Sequence, residues 1–457
     1  MLDPSILREY DIRGIVGDTL TEDDVRKLGR AFGTLIVRGG GRMVCVGYDG
    51  RLSSPALEAA LVAGLAASGV DVRCIGLGPT PMLYFAAHHL GADGGMMITG
   101  SHNPPDYNGI KMARGKRAFF GEDIQTLGRM VAAADFTTGK GRVECVDVCS
   151  VYVDRLARDM EPGRPLTVAW DPGNGAAGAV LRMLCDRLPG RHIIINEPVD
   201  GRFPAHHPDP TVEENLADLK RCVAAHACDL GIAFDGDGDR IGVIDGEGRV
   251  VWGDQLMIML ARPILLEQPG ATIIADVKSS RVFFEEIERL GGKPLMSRTG
   301  HSLIKTLLVE TGAPLAGEMS GHIFFAHRYY GFDDALYAAV RLLSIAAVAD
   351  TSVAGMLSAL PKMVNTPELR IDCADARKFA VIEEVRARVR AAPGLAVQEI
   401  DGVRVSNDDG WWLLRASNTQ PVLVGRCEAP TEECLGRLVG QLVSQLASSG
   451  IDARGIA

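Results

Sequence analysis

The sequence is poor in aromatic residues and has no excess of positive charge, so nucleic acid and anionic membranes are unfavoured as partners. Phe, Trp and Tyr make up 5% of its 457 residues, too few for the stacking platforms that bind single-stranded nucleic acid. Lys and Arg number 48 against 58 Asp and Glu, which gives a formal net charge of −10. A general binder of nucleic acid or anionic membrane has the opposite sign. We therefore expect small molecules as partners.

Long apolar runs and paired cysteine motifs are also missing. The richest apolar stretch, residues 56–70, is interrupted by Glu58 and is too short to cross a bilayer. The first residues, MLDPSILREYDIRG, show no apolar segment of the signal-peptide kind. None of the ten cysteines lies in a CxxC motif, so a disulfide framework or a zinc site is not indicated. These absences predict a cytoplasmic protein with reduced thiols.

One pattern occurs three times in the chain. It consists of a β-branched run, an Asp, a turn with Gly or Ser, an amphipathic helix and a second β-rich run, in residues 43–76, 166–196 and 272–298. A strand, a helix and a strand within about 30 residues form the βαβ unit, which builds parallel strand pairs under helical cover. The repeat predicts three related α/β domains with mixed sheets, over residues 1–147, 148–251 and 252–363.

The C-terminal part of the sequence has a different pattern. The segment LPKMVNTPELR (360–370) contains two prolines and is typical of a linker. Beyond it, helical periodicity at both ends encloses several strand-like runs, an arrangement that favours an α+β fold. We expect a fourth, smaller α+β domain over residues 364–457.

The run DGDGDR (235–240) is the most informative local motif. It lies between the strand-like segments LGIAF and IGVID, so Asp235, Asp237 and Asp239 are expected on a turn between strands. Three carboxylates at alternate positions can surround one hard cation, because the intervening glycines permit unusual backbone angles. A calcium-binding EF-hand loop is excluded, since Arg240 and Gly246 occupy the positions where it needs Gly and Glu. The motif favours Mg²⁺.

A serine lies in a second polar loop. Ser101 belongs to TGSHNPP (99–105), which follows the apolar run GGMMI, and α/β sheets place ligands in loops that follow strands. No GxSxG elbow occurs in the sequence, so an acyl-transfer triad is not supported. From the residues alone, Ser101 is either a nucleophile or part of a structural turn.

Two more polar loops could bind a ligand, one through hydroxyl groups and the other through a phosphate. In GEMSGH (317–322), Glu318 and Ser320 could bind sugar hydroxyls or cap the turn. In RASNT (415–419), Arg415 is combined with two hydroxyls and an amide, a set that suits a phosphate group. A solvated turn is an equal alternative at this point.

Taken together, these motifs resemble those of the α-D-phosphohexomutase family. They occur in the family's order, one per predicted domain after the first, and the resemblance covers essentially the whole chain. It implies three related α/β domains and a smaller α+β domain around a central cleft. The segments that carry it are YDIRG (10–14), TGSHNPPDYNGIK (99–111), DGDGDR (235–240), GEMSGH (317–322) and RASNT (415–419).

The resemblance also implies roles for individual residues. It makes Ser101 the site of a phosphoryl group that binds Mg²⁺ together with Asp235, Asp237 and Asp239. The other residues implied in catalysis are Arg13, His102, Lys111, Arg240 and His301. The residues implied in substrate binding are Tyr10, Lys278, Glu318, Ser320, His322, Arg415, Ser417, Asn418 and Thr419.

The activity implied is that of an intramolecular phosphotransferase. Such an enzyme interconverts hexose 1-phosphates and hexose 6-phosphates, here of mannose and glucose, through a phosphoserine and a hexose 1,6-bisphosphate that also serves as activator. The general base is Lys111 or His301, and a monomer is expected. Two alternatives remain: a HAD-like phosphatase, although Asp239 stands where that family has Thr or Val, and a Ca²⁺- or sugar-binding module.

Overall fold

A computed structural model of the chain describes residues 2–115, 117–392, 394–417 and 420–453. Four β-sheets follow one another along these residues, each with its own helices. Within the same ranges, no helix is both long enough and apolar enough to span a membrane.

The first sheet is mixed and has the strand order β1-β5-β4-β2-β3-β7, with β6 paired to β5. Its strands are β1 (Ile12–Ile15), β2 (Met43–Tyr48), β3 (Asp71–Leu77), β4 (Gly94–Ile98), β5 (Tyr107–Arg114), β6 (Arg117–Ala118) and β7 (Val143–Cys145). Its helices are α1 (Glu22–Arg38), α2 (Ser54–Ser68), α3 (Thr80–Leu90) and α4 (Glu122–Ala132), preceded by a 3-10 helix, Pro4–Ile6. A reciprocal capping box between Thr21 and Asp24 starts α1, because the two side chains satisfy backbone N–H groups that the first turn leaves unpaired.

The second sheet has the order β12-β11-β10-β8-β9. Its strands are β8 (Leu166–Asp171), β9 (Gly190–Ile194), β10 (Leu230–Phe234), β11 (Ile241–Asp245) and β12 (Val250–Val251). Its helices are α5 (Cys149–Ala157), α6 (Gly178–Cys185) and α7 (Ala217–His226), with a 3-10 helix at Glu213–Leu216. Strands β10 and β11 are antiparallel neighbours, so the DGDGDR run lies on the turn that joins them.

The third sheet has the order β14-β13-β15-β16. Its strands are β13 (Thr272–Asp276), β14 (Lys293–Ser297), β15 (Leu315–Gly317) and β16 (Ile323–Phe325). Its helices are α8 (Gly253–Glu267), α9 (Arg281–Arg289), α10 (His301–Thr311), α11 (Ala335–Val348) and α12 (Val353–Ser358). The GEMSGH run connects the antiparallel strands β15 and β16.

The fourth sheet is entirely antiparallel, with the order β17-β22-β21-β20-β19 and with β18 paired to β22. Its strands are β17 (Val364–Asn365), β18 (Leu369–Asp372), β19 (Ala396–Gln398), β20 (Val403–Asn407), β21 (Gly410–Ala416) and β22 (Val422–Ala429). Its helices are α13 (Asp375–Arg390) and α14 (Glu432–Ser448). Three mixed α/β sheets followed by an antiparallel α+β unit confirm the predicted fold class.

Each predicted βαβ unit is present as a parallel strand pair. The pairs β2/β3, β8/β9 and β13/β14 are parallel, and a helix connects the two strands of each pair. The loops after β4 and β13 carry Ser101 and Lys278, and the turns between β10 and β11 and between β15 and β16 carry the DGDGDR and GEMSGH runs. The repeated unit therefore supplies a rigid scaffold from which these loops extend.

The hydrophobic core is shared unequally among the four units. One continuous cluster includes Phe85, Trp170, Leu256 and Tyr337 and so runs through the first three. The fourth unit has a separate cluster around Trp412 and its own helices. The first three units therefore share one hydrophobic core, whereas the fourth unit has a core of its own.

Candidate active site

Hydrogen bonds connect the polar loops of the three α/β units. Ser101, which follows β4, donates from Oγ to the Asp235 carboxylate at 2.8 Å, and Asp235 begins the turn between β10 and β11. Arg240, at the end of that turn, donates from Nε to Nε2 of His322 at 3.0 Å, and His322 precedes β16. The loops that the motif analysis singled out in these three units thus form one site.

Ser101 has an unusual backbone conformation and a buried hydroxyl. Its φ is +49°, in the left-handed region that residues other than glycine rarely adopt and that is often found at functional sites. Its side chain is 2% exposed. Besides the Asp235 oxygen, its Oγ lies 3.2 Å from Nδ1 of His102, and its N–H donates to the Thr99 hydroxyl at 2.8 Å. The hydroxyl is therefore held against the acidic turn.

The three carboxylates of the acidic turn are close enough to bind one cation. One oxygen from each of Asp235, Asp237 and Asp239 lies within 4.8 Å of the other two, and all three side chains are buried. Oδ1 of Asp235 accepts the N–H groups of Asp239 and Arg240, both at 3.1 Å. Oδ1 of Asp237 and Oδ1 of Asp239 are buried and have no hydrogen-bond partner among the described residues. Unpaired carboxylate oxygens in such a cluster are ligands suited to a hard divalent cation.

Lys111 provides positive charge for this cluster. Its Nζ lies 2.7 Å from Asp237 and 2.5 Å from Asp239. Burial opposes its charge, but the carboxylates outweigh burial and hold the pKa of Lys111 well above its ordinary value. For Asp237, burial favours the neutral acid, yet Lys111 holds the pKa below its ordinary value. Burial and the two neighbouring carboxylates raise the pKa of Asp235 well above its ordinary value.

His322 lies between the acidic turn and a buried ion pair. Because its Nε2 accepts from Arg240, its proton must be on Nδ1, which lies 3.1 Å from Oδ2 of Asp333 and 3.6 Å from Oδ1 of Asp239. Asp333 in turn pairs with Lys305 at 2.9 Å. His322 is 3% exposed and links these charged groups, and its expected role in substrate binding stays a prediction.

His301 begins α10 and stacks on His322, with ring centroids 5.4 Å apart. Its Nδ1 is buried without a hydrogen-bond partner among the described residues. Burial and nearby Lys305 lower the pKa of His301 well below its ordinary value. Burial, together with Arg240 and Arg13, also lowers the pKa of His102 well below its ordinary value. Both imidazoles are therefore neutral at pH 7.

The first unit contributes two further expected site residues. Arg13 on β1 donates from Nη1 to the Asn103 side chain at 2.7 Å and pairs with Asp11 at 2.5 Å, so it lies beside the Ser101 loop. Tyr10 donates from its hydroxyl to the Thr299 carbonyl oxygen at 2.9 Å. Tyr10 therefore joins the N-terminal segment to the third unit.

The sugar-recognition motif forms a compact, polar turn. Oε1 of Glu318 accepts the Gly300 N–H at 2.6 Å, and Oε2 accepts the Ser320 hydroxyl at 2.8 Å. Burial opposes the Glu318 charge, but His322 and Lys278 outweigh burial and keep its pKa below the ordinary value. Glu318 is thus an ionised acceptor.

The expected cations of the third and fourth units are each paired with a carboxylate. Lys278, after β13, lies 3.3 Å from Glu368 of the fourth unit, and Lys278 lowers the pKa of Glu368 to about 2. On β21, Arg415 donates from Nε to Asp401 at 2.8 Å.

The remainder of the expected phosphate loop is only partly described. Ser417 lies at the end of β21, where its Oγ accepts the Gln420 N–H at 3.2 Å. Asn418 and Thr419, which belong to the same expected phosphate loop, lie outside the described residues.

Comparison with known families assigns the whole chain. The domain families described as phosphoglucomutase/phosphomannomutase alpha/beta/alpha domains I, II and III match residues 4–137, 150–248 and 252–364. The C-terminal domain of the same family matches residues 368–445. The chain belongs to the α-D-phosphohexomutase family. The resemblance seen in the sequence motifs is thereby confirmed.

Individual α-D-phosphohexomutases are similar over nearly the full length. The phosphomannomutase/phosphoglucomutase of Pseudomonas aeruginosa is 45% identical over 445 residues, which cover 97% of this chain and 96% of that protein. The phosphoglucomutase of Neisseria gonorrhoeae is 42% identical over 447 residues, covering 97% of each. The crystal structure of a phosphoglucomutase/phosphomannomutase family protein from Burkholderia thailandensis superposes with a TM-score of 0.93 at 44% identity and covers 98% of both chains.

Several residues of the site were not found from the sequence. Thr80 and Thr99 donate to Oδ2 of Asp237 at 2.5 and 3.0 Å, and Asp333 with Lys305 forms the ion pair behind His322. The threonines follow β3 and β4, and their position at strand ends is a usable signal. Asp333 stands in no motif that could have identified it, and Lys305 ends an SxxK run, SLIK (302–305), that helical spacing alone explains.

Proposed function

We propose that this chain is a phosphohexomutase that interconverts the 1-phosphates and 6-phosphates of glucose and mannose. The observation that carries the proposal is the hydrogen bond from Ser101 to Asp235, in a buried acidic triad with two unpaired carboxylate oxygens. A serine beside a candidate cation site is suited to hold and transfer a phosphoryl group, since phosphoryl transfer depends on positioning and on neutralising charge. The names of the full-length relatives support the same activity.

The metal would be Mg²⁺, held by Asp235, Asp237, Asp239 and a phosphoryl oxygen on Ser101. The unpaired oxygens of Asp237 and Asp239 fit such a cation, and carboxylates are the ligands that Mg²⁺ takes together with phosphate oxygens. When bound, it would neutralise charge on the phosphoryl group as that group moves.

In the proposed reaction, Ser101 carries the phosphoryl group in the resting enzyme. The bond from phosphorus to Oγ of Ser101 breaks as the free hydroxyl of a hexose monophosphate bonds to phosphorus, and the hydroxyl proton passes to a base. The product, a hexose 1,6-bisphosphate, turns over in the site and returns its other phosphoryl group to Ser101, while the oxygen left on the sugar takes the proton back. Added bisphosphate would act as an activator because it phosphorylates unmodified Ser101.

We assign the base to His301. Lys111 is held by two carboxylates, and the lone pair on Nε2 of His322 accepts from Arg240. His301, by contrast, has a buried Nδ1 without a hydrogen-bond partner among the described residues, 3.7 Å from Oδ2 of Asp333. Only a group with an available lone pair can accept the hydroxyl proton, so Lys111 serves as a cation.

The remaining residues would bind the sugar phosphate. Glu318 and Ser320 would accept and donate hydrogen bonds to sugar hydroxyls away from C2, which permits both glucose and mannose. Arg415 with Ser417, Asn418 and Thr419 would grip the phosphate that is not reacting. The other groups proposed to line the site are Tyr10, Arg13, His102, Arg240, Lys278 and His322.

A phosphatase that uses an aspartate nucleophile is disfavoured by the bonding of Asp235. Its Oδ1 accepts two backbone N–H groups and its Oδ2 accepts the Ser101 hydroxyl. An attacking carboxylate needs an oxygen free to reach phosphorus. Attack by Asp235 would break these hydrogen bonds, whereas a cation can approach the oxygen lone pairs that they leave available.

The deciding experiment incubates the purified protein with Mg²⁺, a trace of glucose 1,6-bisphosphate, and glucose 1-phosphate, mannose 1-phosphate or glucosamine 1-phosphate. We expect glucose and mannose 6-phosphates at comparable efficiency, poor conversion of the glucosamine substrate, and no inorganic phosphate by phosphorus NMR. Ser101→Ala should fold and be inactive. Release of phosphate would identify a phosphatase instead, and an unchanged substrate would identify a binding module.

A further inference from the structure

A buried arginine holds the backbone of the Ser101 loop. Arg51, which follows β2, has a side chain that is fully buried. Its Nη2 donates to the carbonyl oxygens of Ser101 at 2.8 Å and Asn103 at 2.6 Å. Its Nη1 donates to those of Pro104 at 2.5 Å and Tyr107 at 3.0 Å. One guanidinium group thus binds four carbonyl oxygens within seven residues of the loop.

Asp49 holds the arginine and the loop from the other side. Its Oδ2 lies 3.3 Å from Nε of Arg51 and accepts the Gly100 N–H at 3.0 Å. Its Oδ1 accepts the Ser54 hydroxyl at 2.5 Å. The carboxylate and the guanidinium group therefore fix the residues on both sides of the Ser101 peptide.

Residues of the second unit pack against Arg51 and against the Ser101 loop. The Phe203 ring lies over the Arg51 guanidinium group, 5.2 Å from centroid to Cζ. A Cβ atom added at Gly236 of the acidic turn would lie 2.3 Å from the Ser101 carbonyl oxygen. The loop consequently has almost no room to move relative to the acidic turn.

These contacts explain how Ser101 keeps a left-handed backbone. Such a conformation is unfavourable for a non-glycine residue and persists only where its surroundings enforce it. A planar guanidinium group has five N–H donors spread over three nitrogens and can bind four separate carbonyl oxygens at once, whereas an ammonium group has only three donors, all on one atom. With its carbonyl directed at Arg51, Ser101 directs its hydroxyl at Asp235.

We propose that Arg51 is a positioning residue for the phosphoryl-transfer step. This role rests on the proposed function and adds to it. Arg51 contacts neither the substrate nor the phosphoryl group, but it fixes Oγ of Ser101, the oxygen that carries the phosphoryl group. Displacement of a reacting atom by about 1 Å can slow a reaction about 100-fold. Loss of the guanidinium group should therefore slow the chemical step and leave substrate affinity nearly unchanged.

The test compares Arg51→Lys with the wild type in single-turnover experiments. Enzyme phosphorylated beforehand on Ser101 with a radiolabelled phosphoryl group is mixed with saturating unlabelled glucose 1-phosphate, and transfer of the label from the protein to the sugar is followed by rapid quench. We expect the transfer rate and kcat to fall about 10- to 100-fold, with KM changed less than about threefold.

Arg404 provides a matched control. It is also buried, lies 3.7 Å from the Trp411 ring centroid, and donates to the carbonyl oxygens of Val277 and Ser279 at 2.6 and 2.8 Å. Val277 and Ser279 are the chain neighbours of Lys278, an expected substrate ligand. Arg404→Lys removes a comparable group from another loop and should raise KM, while the transfer rate at saturation stays within about threefold of the wild type.

The outcomes separate this inference from the proposed function. A wild type without mutase activity would refute the proposed function. If the wild type is active, two results would refute the role of Arg51. One is the same kinetic change in Arg51→Lys and Arg404→Lys, and the other is a change in Arg51→Lys that is confined to KM. If Arg51→Lys does not fold, Asp49→Asn decides the question, because it weakens the same loop and should also lower the transfer rate rather than raise KM.

Discussion

Nε of Arg240 donates a hydrogen bond to Nε2 of His322 at 3.0 Å, and the backbones of the same two residues form an isolated β-bridge. The acidic turn and the sugar-recognition turn are thus joined through both main chain and side chains. A change at either residue should displace both turns together.

We expect the effects of Arg240→Met and His322→Phe on kcat/KM to be non-additive. Each should lower kcat/KM about 10- to 100-fold, because a hydrogen bond to a charged group contributes about 1.5–3 kcal/mol. The double variant should be little worse than the poorer single one, and a double-mutant cycle measures the difference. Additive effects would show that the two side chains act independently.

Asp237→Asn tests the cation site. The change keeps the volume and removes one charge from the proposed ligand set, so turnover should fall severely and excess Mg²⁺ should restore it only in part. Asp186→Asn, at an exposed position after α6, is the control and should behave as the wild type. Full activity of the wild type after treatment with a chelator would contradict a catalytic metal.

The pH dependence of kcat tests the base. Because burial and Lys305 lower the pKa of His301 well below its ordinary value, the imidazole stays unprotonated as the pH falls through about 6.5, the usual pKa of histidine. We expect kcat to remain level from pH 8 to about 6.5 and to decline only at lower pH. His301→Asn should lower kcat and remove this decline. A decline that persists in the variant would assign it to another group.

Arg415→Lys tests the phosphate grip. Lysine keeps the charge but lacks the planar fork of donors, so apparent binding of both 1-phosphate and 6-phosphate substrates should weaken about 10- to 100-fold. Arg437→Lys, in an exposed ion pair with Asp409 on the same unit, should leave binding unchanged. Kinetics in both reaction directions measure the effect, and a defect in one direction alone would place the second phosphate elsewhere.

The sequence predicted those features that depend on local pattern. The βαβ units were found because strand, turn and helix alternate within about 30 residues, and the turn position of Asp235, Asp237 and Asp239 followed from the apolar runs on either side. The two C-terminal helices and the strands β20, β21 and β22 were also recognised, whereas the short strands β18 and β19 were not, and β17 lies in the segment interpreted as a linker.

Pairings between residues that are far apart in the chain could not be predicted. Arg51 and Ser101 are 50 positions apart, and Lys278 and Glu368 are 90 apart, so no local spacing indicates that they meet. Likewise, His322 was expected to face the substrate, and only the packing of β16 against the acidic turn places it between Arg240 and Asp333. Such contacts depend on how separate sheets pack.

The contact between the third and fourth units is mainly polar. Besides a small apolar cluster of Val277, Trp411 and Leu413, it includes the Lys278–Glu368 ion pair and charged side chains bound to backbone groups, such as Arg404 on the Val277 carbonyl oxygen and Glu428 on the Arg281 N–H. Water can replace hydrogen bonds of this kind, whereas exposure of an apolar core is opposed by the hydrophobic effect. Separation along this boundary would therefore expose little apolar surface and have a small heat-capacity change, because the core shared by the first three units lies elsewhere.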